Sequence, residues 1–169
     1  MKTTTNRLII RNLHSDDWKE MKSIWQDFGK SVFAQYDVPH SNDNHKIQNL
    51  VKLFSESNDF YLVLLSDTEK VIGTVELHDT GNGYEIGYCF LSEYQGKGYA
   101  KESCNALIDL YVQKGGKRFT AGTALKNTPS VKLLLSLGFE RSGTEQVSFY
   151  KDEEGNDIYF EGGIFELLK

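Results

Sequence analysis

The chain has 169 residues, a formal net charge of −5, 39% hydrophobic and 25% charged residues, the proportions of an ordinary soluble globular protein. That length supplies one substantial core and is short for two, so a single domain over 1–169 is expected, and the negative balance argues against a nucleic-acid partner. Residues 1–7 lack the apolar segment of a secretory signal, the longest apolar run (60–65) is too short to span a bilayer, and Cys89 and Cys104 lack metal-ligand spacing and suit a reducing compartment. The expectation is a cytoplasmic protein with no membrane partner and no metal.

Residues 7–13 are rich in β-branched side chains and read as a first strand. Ser15-Asp16-Asp17 offers N-cap chemistry to a helix with Trp18, Met21, Ile24, Trp25 and Phe28 at helical spacing, stopped by Gly29. The stretch 30–44 is mixed, holding Phe33, Tyr36 and a break at Val38-Pro39-His40; a second helix follows, marked by Ile47, Leu50, Val51 and Phe54. Residues 60–65 and 70–78 read as strands joined by a polar turn, and Gly81-Asn82-Gly83 turns tightly into a central strand over 84–91. The next helix places Ala100, Ser103, Cys104, Leu107, Leu110 and Tyr111 on one face and ends at Gly115-Gly116. Residues 117–123 form another strand, and a strand–helix–strand crossover makes it parallel to 84–91. Asn127-Thr128-Pro129-Ser130 opens a helix that Gly138-Phe139 ends, and 140–169 is a strand pair around the turn 152–157.

Glu93-Tyr94-Gln95-Gly96-Lys97-Gly98-Tyr99-Ala100 sits where the central strand turns into its helix. The first amides of a helix have no intrahelical partner, glycine removes the Cβ that would hold a ligand off the main chain, and the helix dipole adds positive charge. Such a loop cradles a polyphosphate with backbone alone. The spacing is not that of a P-loop, and Lys101 occupies the third glycine position of a dinucleotide fingerprint. What remains is Q-x-x-G-x-G/A, filled by Gln95, Gly98 and Ala100. This resembles the acetyl-CoA pyrophosphate loop of the GNAT superfamily of N-acetyltransferases, and Glu85-Ile86-Gly87-Tyr88 resembles its RimJ/RimL-like branch. A second stretch, Asn127-x-x-Ser130 running on to Gly138-Phe139, is similar to the family segment after the last parallel strand.

The resemblance implies an α/β (α+β) GNAT fold: a twisted, mixed, mostly antiparallel sheet flanked by helices, its central parallel strands splayed into a V that admits acetyl-CoA. It implies that backbone amides of Gln95, Gly96, Lys97, Gly98, Tyr99 and Ala100 hold the pyrophosphate. Backbone groups of Cys89, Phe90 and Leu91 would pair with the pantetheine arm, Asn127 would hydrogen-bond the cofactor or simply cap its helix, and Ser130 would lie near the sulfur. The acceptor wall would lie in the first helix pair, with Phe33, Tyr36 and His40 as candidates.

Transfer to an amine needs a base, a group that polarises the carbonyl and a proton for the departing thiolate. Many family members supply that proton from a tyrosine at the position of Leu134; its loss here leaves Ser130, with water. Glu85 leads as the base, with Glu76 and His78 on the preceding strand as rivals. Weak base machinery suits a peptide α-amine, which is partly neutral at neutral pH. The expected partner is therefore a protein or peptide N-terminus, with a small amine (polyamine, aminoglycoside, amino acid) as the alternative, and a non-catalytic acyl-CoA sensor as a reading of another class. Either a monomer or a homodimer fits.

Overall fold

The computed structural model describes residues 1–169. Its strands are β1 (Lys2–Thr4), β2 (Leu8–Asn12), β3 (Phe60–Leu65), β4 (Val71–Asp79), β5 (Tyr84–Phe90), β6 (Arg118–Ala124), β7 (Glu140–Lys151) and β8 (Asp157–Leu168), and its helices are α1 (Trp18–Phe28), α2 (Asn44–Ser57), α3 (Tyr99–Gln113) and α4 (Thr128–Ser136). The strands form one sheet in the order β1-β2-β3-β4-β5-β6-β8-β7. Every neighbouring pair is antiparallel except β5 and β6, which the crossover through α3 makes parallel.

Two elements differ from the sequence expectation. β1 carries no apolar signal and is ordered by pairing, with Thr3 opposite Ile10. Residues Ser15–Asp17 form a separate 3-10 turn before α1, because the Asp17 carboxylate turns back. It accepts the His14 amide at 2.7 Å and two hydrogen bonds of 2.7 Å from the Arg11 guanidinium.

The continuous apolar run of β3 reflects helices on both faces of the sheet. Strand side chains alternate, so Tyr61 and Val63 join the core with Cys104, Leu107 and Leu134 of α3 and α4. Phe60, Leu62 and Leu64 join the opposite core with Met21, Ile24, Ile47 and Val51 of α1 and α2. Each such fully buried side chain contributes about 1.5–3 kcal/mol, and the two layers fix the central strands from both sides.

β5 and β6 pair only at Tyr84–Phe119 and Glu85–Thr120. Beyond that point β5 follows β4 as far as Phe90–Gly73, whereas β6 follows β8 as far as Ala124–Gly162. The two strands therefore part into a V, and the inner edge of each presents main chain that has lost its ladder partner. Main-chain donors in such a place require another partner.

Candidate active site

The V opens into a cleft of about 840 Å³ that runs from the loop before α3 to the β7–β8 hairpin. At the loop end, Gln95, Gly96, Gly98, Tyr99 and Ala100 line it. Gly96 has φ +72° and Gly98 φ +82°, a conformation costly for residues with a Cβ; space is open around the missing Cβ of Gly96, and Arg7 Nη2 approaches that of Gly98 at 3.5 Å. Gly98 caps α3, and the first intrahelical bond is Glu102 N–H to Gly98 O at 3.0 Å. The amides of Tyr99, Ala100 and Lys101 are left for a ligand. This is the cradle a pyrophosphate fits.

Lys97 does not line the cleft. Its ammonium lies over the Tyr94 ring, 5.3 Å from the centroid, and its carbonyl accepts Arg7 Nη1 at 3.1 Å. Arg7 also donates through Nε to Glu102 at 2.7 Å and stacks over Tyr99 at 4.5 Å. It thus fastens the loop to the start of α3. Sequence reasoning missed Arg7, since nothing local marks a contact 90 residues away.

Along β5 the alternation of main-chain direction decides which groups face the V. Leu91 N–H donates to Ile72 O of β4 at 3.0 Å, so Leu91, Cys89 and Gly87 turn their main chain towards β4, and Phe90, Tyr88 and Ile86 turn theirs into the V. Leu91 lies outside the cleft lining, its amide already committed. The main chain that faces the V is therefore that of Ile86, Tyr88 and Phe90, so that of the expected Cys89-Phe90-Leu91 only Phe90 presents its main chain there. Gln95 Nε2 donates to Phe90 O at 2.9 Å, bracing the end of β5 against the loop. The Cys89 side chain lines the cleft, but burial pushes its thiol up to about 12, so it holds its proton and is no nucleophile.

The far end of the cleft is acidic and aromatic. Glu85, Gly87 and Cys89 share a face with their β4 partners His78, Glu76 and Thr74. The Glu76 carboxylate lies over Gly87, where a Cβ would overlap Oε1, and its Oε2 is 3.2 Å from His78 Nε2. His78 Nδ1 is 2.6 Å from Asp59. The hydrogen bond to Glu76, aided by Asp59 and opposed by burial, pushes His78 up to about 9. His78 is thus an imidazolium at neutral pH, which removes it as a rival base. Glu85 lines the same face and is exposed.

Phe33 and Tyr36, between α1 and α2, line this end together with Asp37, whose carboxyl is held above the usual range by burial and by the nearby Glu76 charge. Tyr36 packs edge-on to Phe160 at 5.2 Å, and Tyr150 donates to Ala34 O at 3.3 Å. The hairpin and the α1–α2 connection close one wall. His40 instead stacks on Trp25 at 4.6 Å and is not part of the lining.

α4 supplies the remaining groups. Asn127 caps it, accepting Ser130 N–H on Oδ1 at 3.4 Å, which leaves the side-chain NH2 of Asn127 uncommitted. Ser130 lines the cleft, and its Oγ is 2.9 Å from the Tyr88 hydroxyl. Leu134 is 1% exposed in the core, so no acid acts from that position. No group of three or more His, Cys, Asp or Glu side chains is placed to hold a metal ion, and no helix is long and apolar enough to cross a membrane.

This geometry has counterparts. The acetyltransferase (GNAT) domain family matches residues 7–140. The uncharacterized N-acetyltransferase p20 of Bacillus licheniformis is 31% identical over 175 residues, covering 98% of this chain and 94% of its own. Among solved structures, the ribosomal-protein-S5-alanine acetyltransferase of Vibrio fischeri superposes with a TM-score of 0.73 at 22% identity over 99% and 96% of the two chains. The Vibrio cholerae spermidine N-acetyltransferase, in complex with CoA and spermine, gives 0.78 at 20% over 97% and 96%. A V-split sheet, a glycine cradle at its mouth and this family match place the chain in the GNAT family of N-acetyltransferases. It is an acetyl-CoA-dependent N-acetyltransferase.

Proposed function

We propose that the acceptor is the α-amine of a protein or peptide N-terminus, acetylated by direct attack while both substrates occupy the cleft. The observation that carries this reading is the nature of the base. With His78 charged up to about pH 9 and His40 stacked away on Trp25, only carboxylates remain to take the amine proton. A carboxylate is a weak base at neutral pH. It suffices for an α-amine with a pKa near 7.7–8.0, whereas a lysine-like nitrogen near 10.4 first costs about 3–4 kcal/mol of deprotonation.

Acetyl-CoA brings the activated acyl group; the amides of Gly96 to Ala100 would hold its pyrophosphate, the Gln95 amide being spent on Ser92 O, and the V-facing amides of Tyr88 and Phe90 would bind the pantetheine arm and polarise the carbonyl. Glu76, one oxygen engaged by His78 and the other over Gly87, would receive the ammonium. Glu85, with no side-chain hydrogen bond of its own, would accept the proton. Ser130 Oγ–H would protonate the departing sulfur and recover a proton from water, while Phe33 and Tyr36 contact the acceptor.

A small polycationic amine is a second reading, favoured by the four carboxylates Asp37, Glu76, Glu85 and Glu145 in one cleft. Acetyl-CoA-dependent thiol release across peptides with free and blocked α-amines, polyamines, aminoglycosides and amino acids decides between them. Turnover with free-α-amine peptides, lost on blocking, supports the proposal; turnover confined to polyamines overturns it. Acetyl-CoA binding with no thiol release for any of these amines would overturn both acceptor readings.

A further inference from the structure

We propose that Tyr88 is a positioning residue for acetyl transfer: its hydroxyl donates to Ser130 Oγ and so turns the Ser130 proton into the cleft, towards the departing sulfur. This rests on the reading of Ser130 as the donor to that sulfur.

The argument starts from what helix serines do with their protons. Ser103 in α3 donates to Tyr99 O at 2.9 Å, and Ser136 in α4 donates to Leu133 O at 2.8 Å. Both hydroxyls are spent on the preceding turn, the usual fate of serine inside a helix. Ser130 stands in the first turn of α4, and its hydroxyl makes no such bond to the carbonyl three residues earlier, that of the cap residue Asn127, which accepts Val131 N–H instead. The only side-chain partner of its Oγ is Tyr88, at 2.9 Å. A serine with a free rotor would spread its proton over several directions.

Tyr88 removes that freedom. Its hydroxyl lies 2.9 Å from Ser130 Oγ, where either oxygen is able to donate, and 3.3 Å from Ser130 O, which only accepts. Both belong to the same residue. A phenol is a better donor than an aliphatic hydroxyl, and burial holds Tyr88 above the usual tyrosine range, so it keeps its proton at neutral pH. With one lone pair of Oγ engaged by Tyr88, the Ser130 O–H is directed elsewhere, and the cleft is the space that Ser130 lines. No bond is made or broken at Tyr88. Ser130 gives its proton to sulfur as the C–N bond forms and the C–S bond breaks, and water restores it.

The test is a cycle of Tyr88→Phe, Ser130→Ala and the double variant in the full chain, assayed for thiol release. Tyr88→Phe should lower kcat about 3- to 10-fold, the worth of one hydrogen bond, with KM for acetyl-CoA within about twofold, and the double variant should be no slower than Ser130→Ala. A merely structural tyrosine would give additive losses, and that result overturns the proposal. So does full activity in Tyr88→Phe beside a slow Ser130→Ala, which leaves the reading of Ser130 standing. Full activity in Ser130→Ala overturns that reading and this one with it. Should Tyr88→Phe fold poorly, a difluorotyrosine at position 88 keeps the shape and lowers the phenol pKa. The kcat profile should then lose rate at high pH as the donor ionises, and an unchanged profile rejects the role.

Discussion

At the scale of the residue, the acceptor end of the cleft divides labour between carboxylates that look alike in sequence. Glu76 is tied to His78, and Glu85 is not. Replacing Glu85 with Gln should therefore slow kcat by about 10²-fold, the low end for a general base, while calorimetric binding of acetyl-CoA stays unchanged. Glu76→Gln should chiefly raise KM for the acceptor. His78 predicts a pH effect whose sign follows from linkage. Its pKa rises from 6.5 to about 9 on folding, so its contribution to stability is complete below about pH 6.5 and lost as pH climbs through about 9. Melting temperatures of the protein and of His78→Gln should converge over that interval; a gap that is constant between pH 6 and 9.5 would refute the charged network.

At the scale of the element, the strand–loop–helix unit of β5, the glycine loop and α3 is the unit proposed to bind the cofactor. Its work is done by main chain, so side-chain deletions within it should be mild and Cβ additions severe. Gly98→Glu places a charge and a side chain in the pyrophosphate cradle, at φ +82°, and should abolish acetyl-CoA binding. Arg7→Ala removes the ties to Lys97 O and Glu102 and should raise KM for acetyl-CoA about 3- to 10-fold with little change in kcat, since a charged hydrogen bond contributes about 1.5–3 kcal/mol and half-exposure reduces it. The motif Gln95-x-x-Gly98-x-Ala100 was legible because its glycines answer to local backbone geometry. Arg7 was not, because its role comes from a turn between β1 and β2 that the sheet brings alongside α3.

At the scale of the whole molecule, the site exists because the two central strands obey different neighbours. β5 is held by β4 and β6 by β8, and cores on both faces keep the V from closing. Installing the tyrosine that many relatives of this fold carry would not restore an acid here: Leu134 is fully packed, and Leu134→Tyr should overpack the core by about 1–3 kcal/mol, lowering Tm by roughly 2–4 °C per kcal/mol, with no gain in kcat.

The sequence by itself determined the order of strands and helices from β2 onwards, the parallel crossover through α3 and the glycine loop, because each depends on period, turn chemistry and chain connectivity. It also singled out Glu85, Ser130 and Asn127 as candidates through motifs that lie on single elements, and all three line the cleft. Only the tertiary structure decided which carboxylate His78 engages, that the Leu91 amide belongs to β4, that His40 leaves the pocket for Trp25, and that Tyr88 meets Ser130. Those contacts join residues far apart in the chain, and their partners are set by strand register and helix packing, which no local pattern encodes.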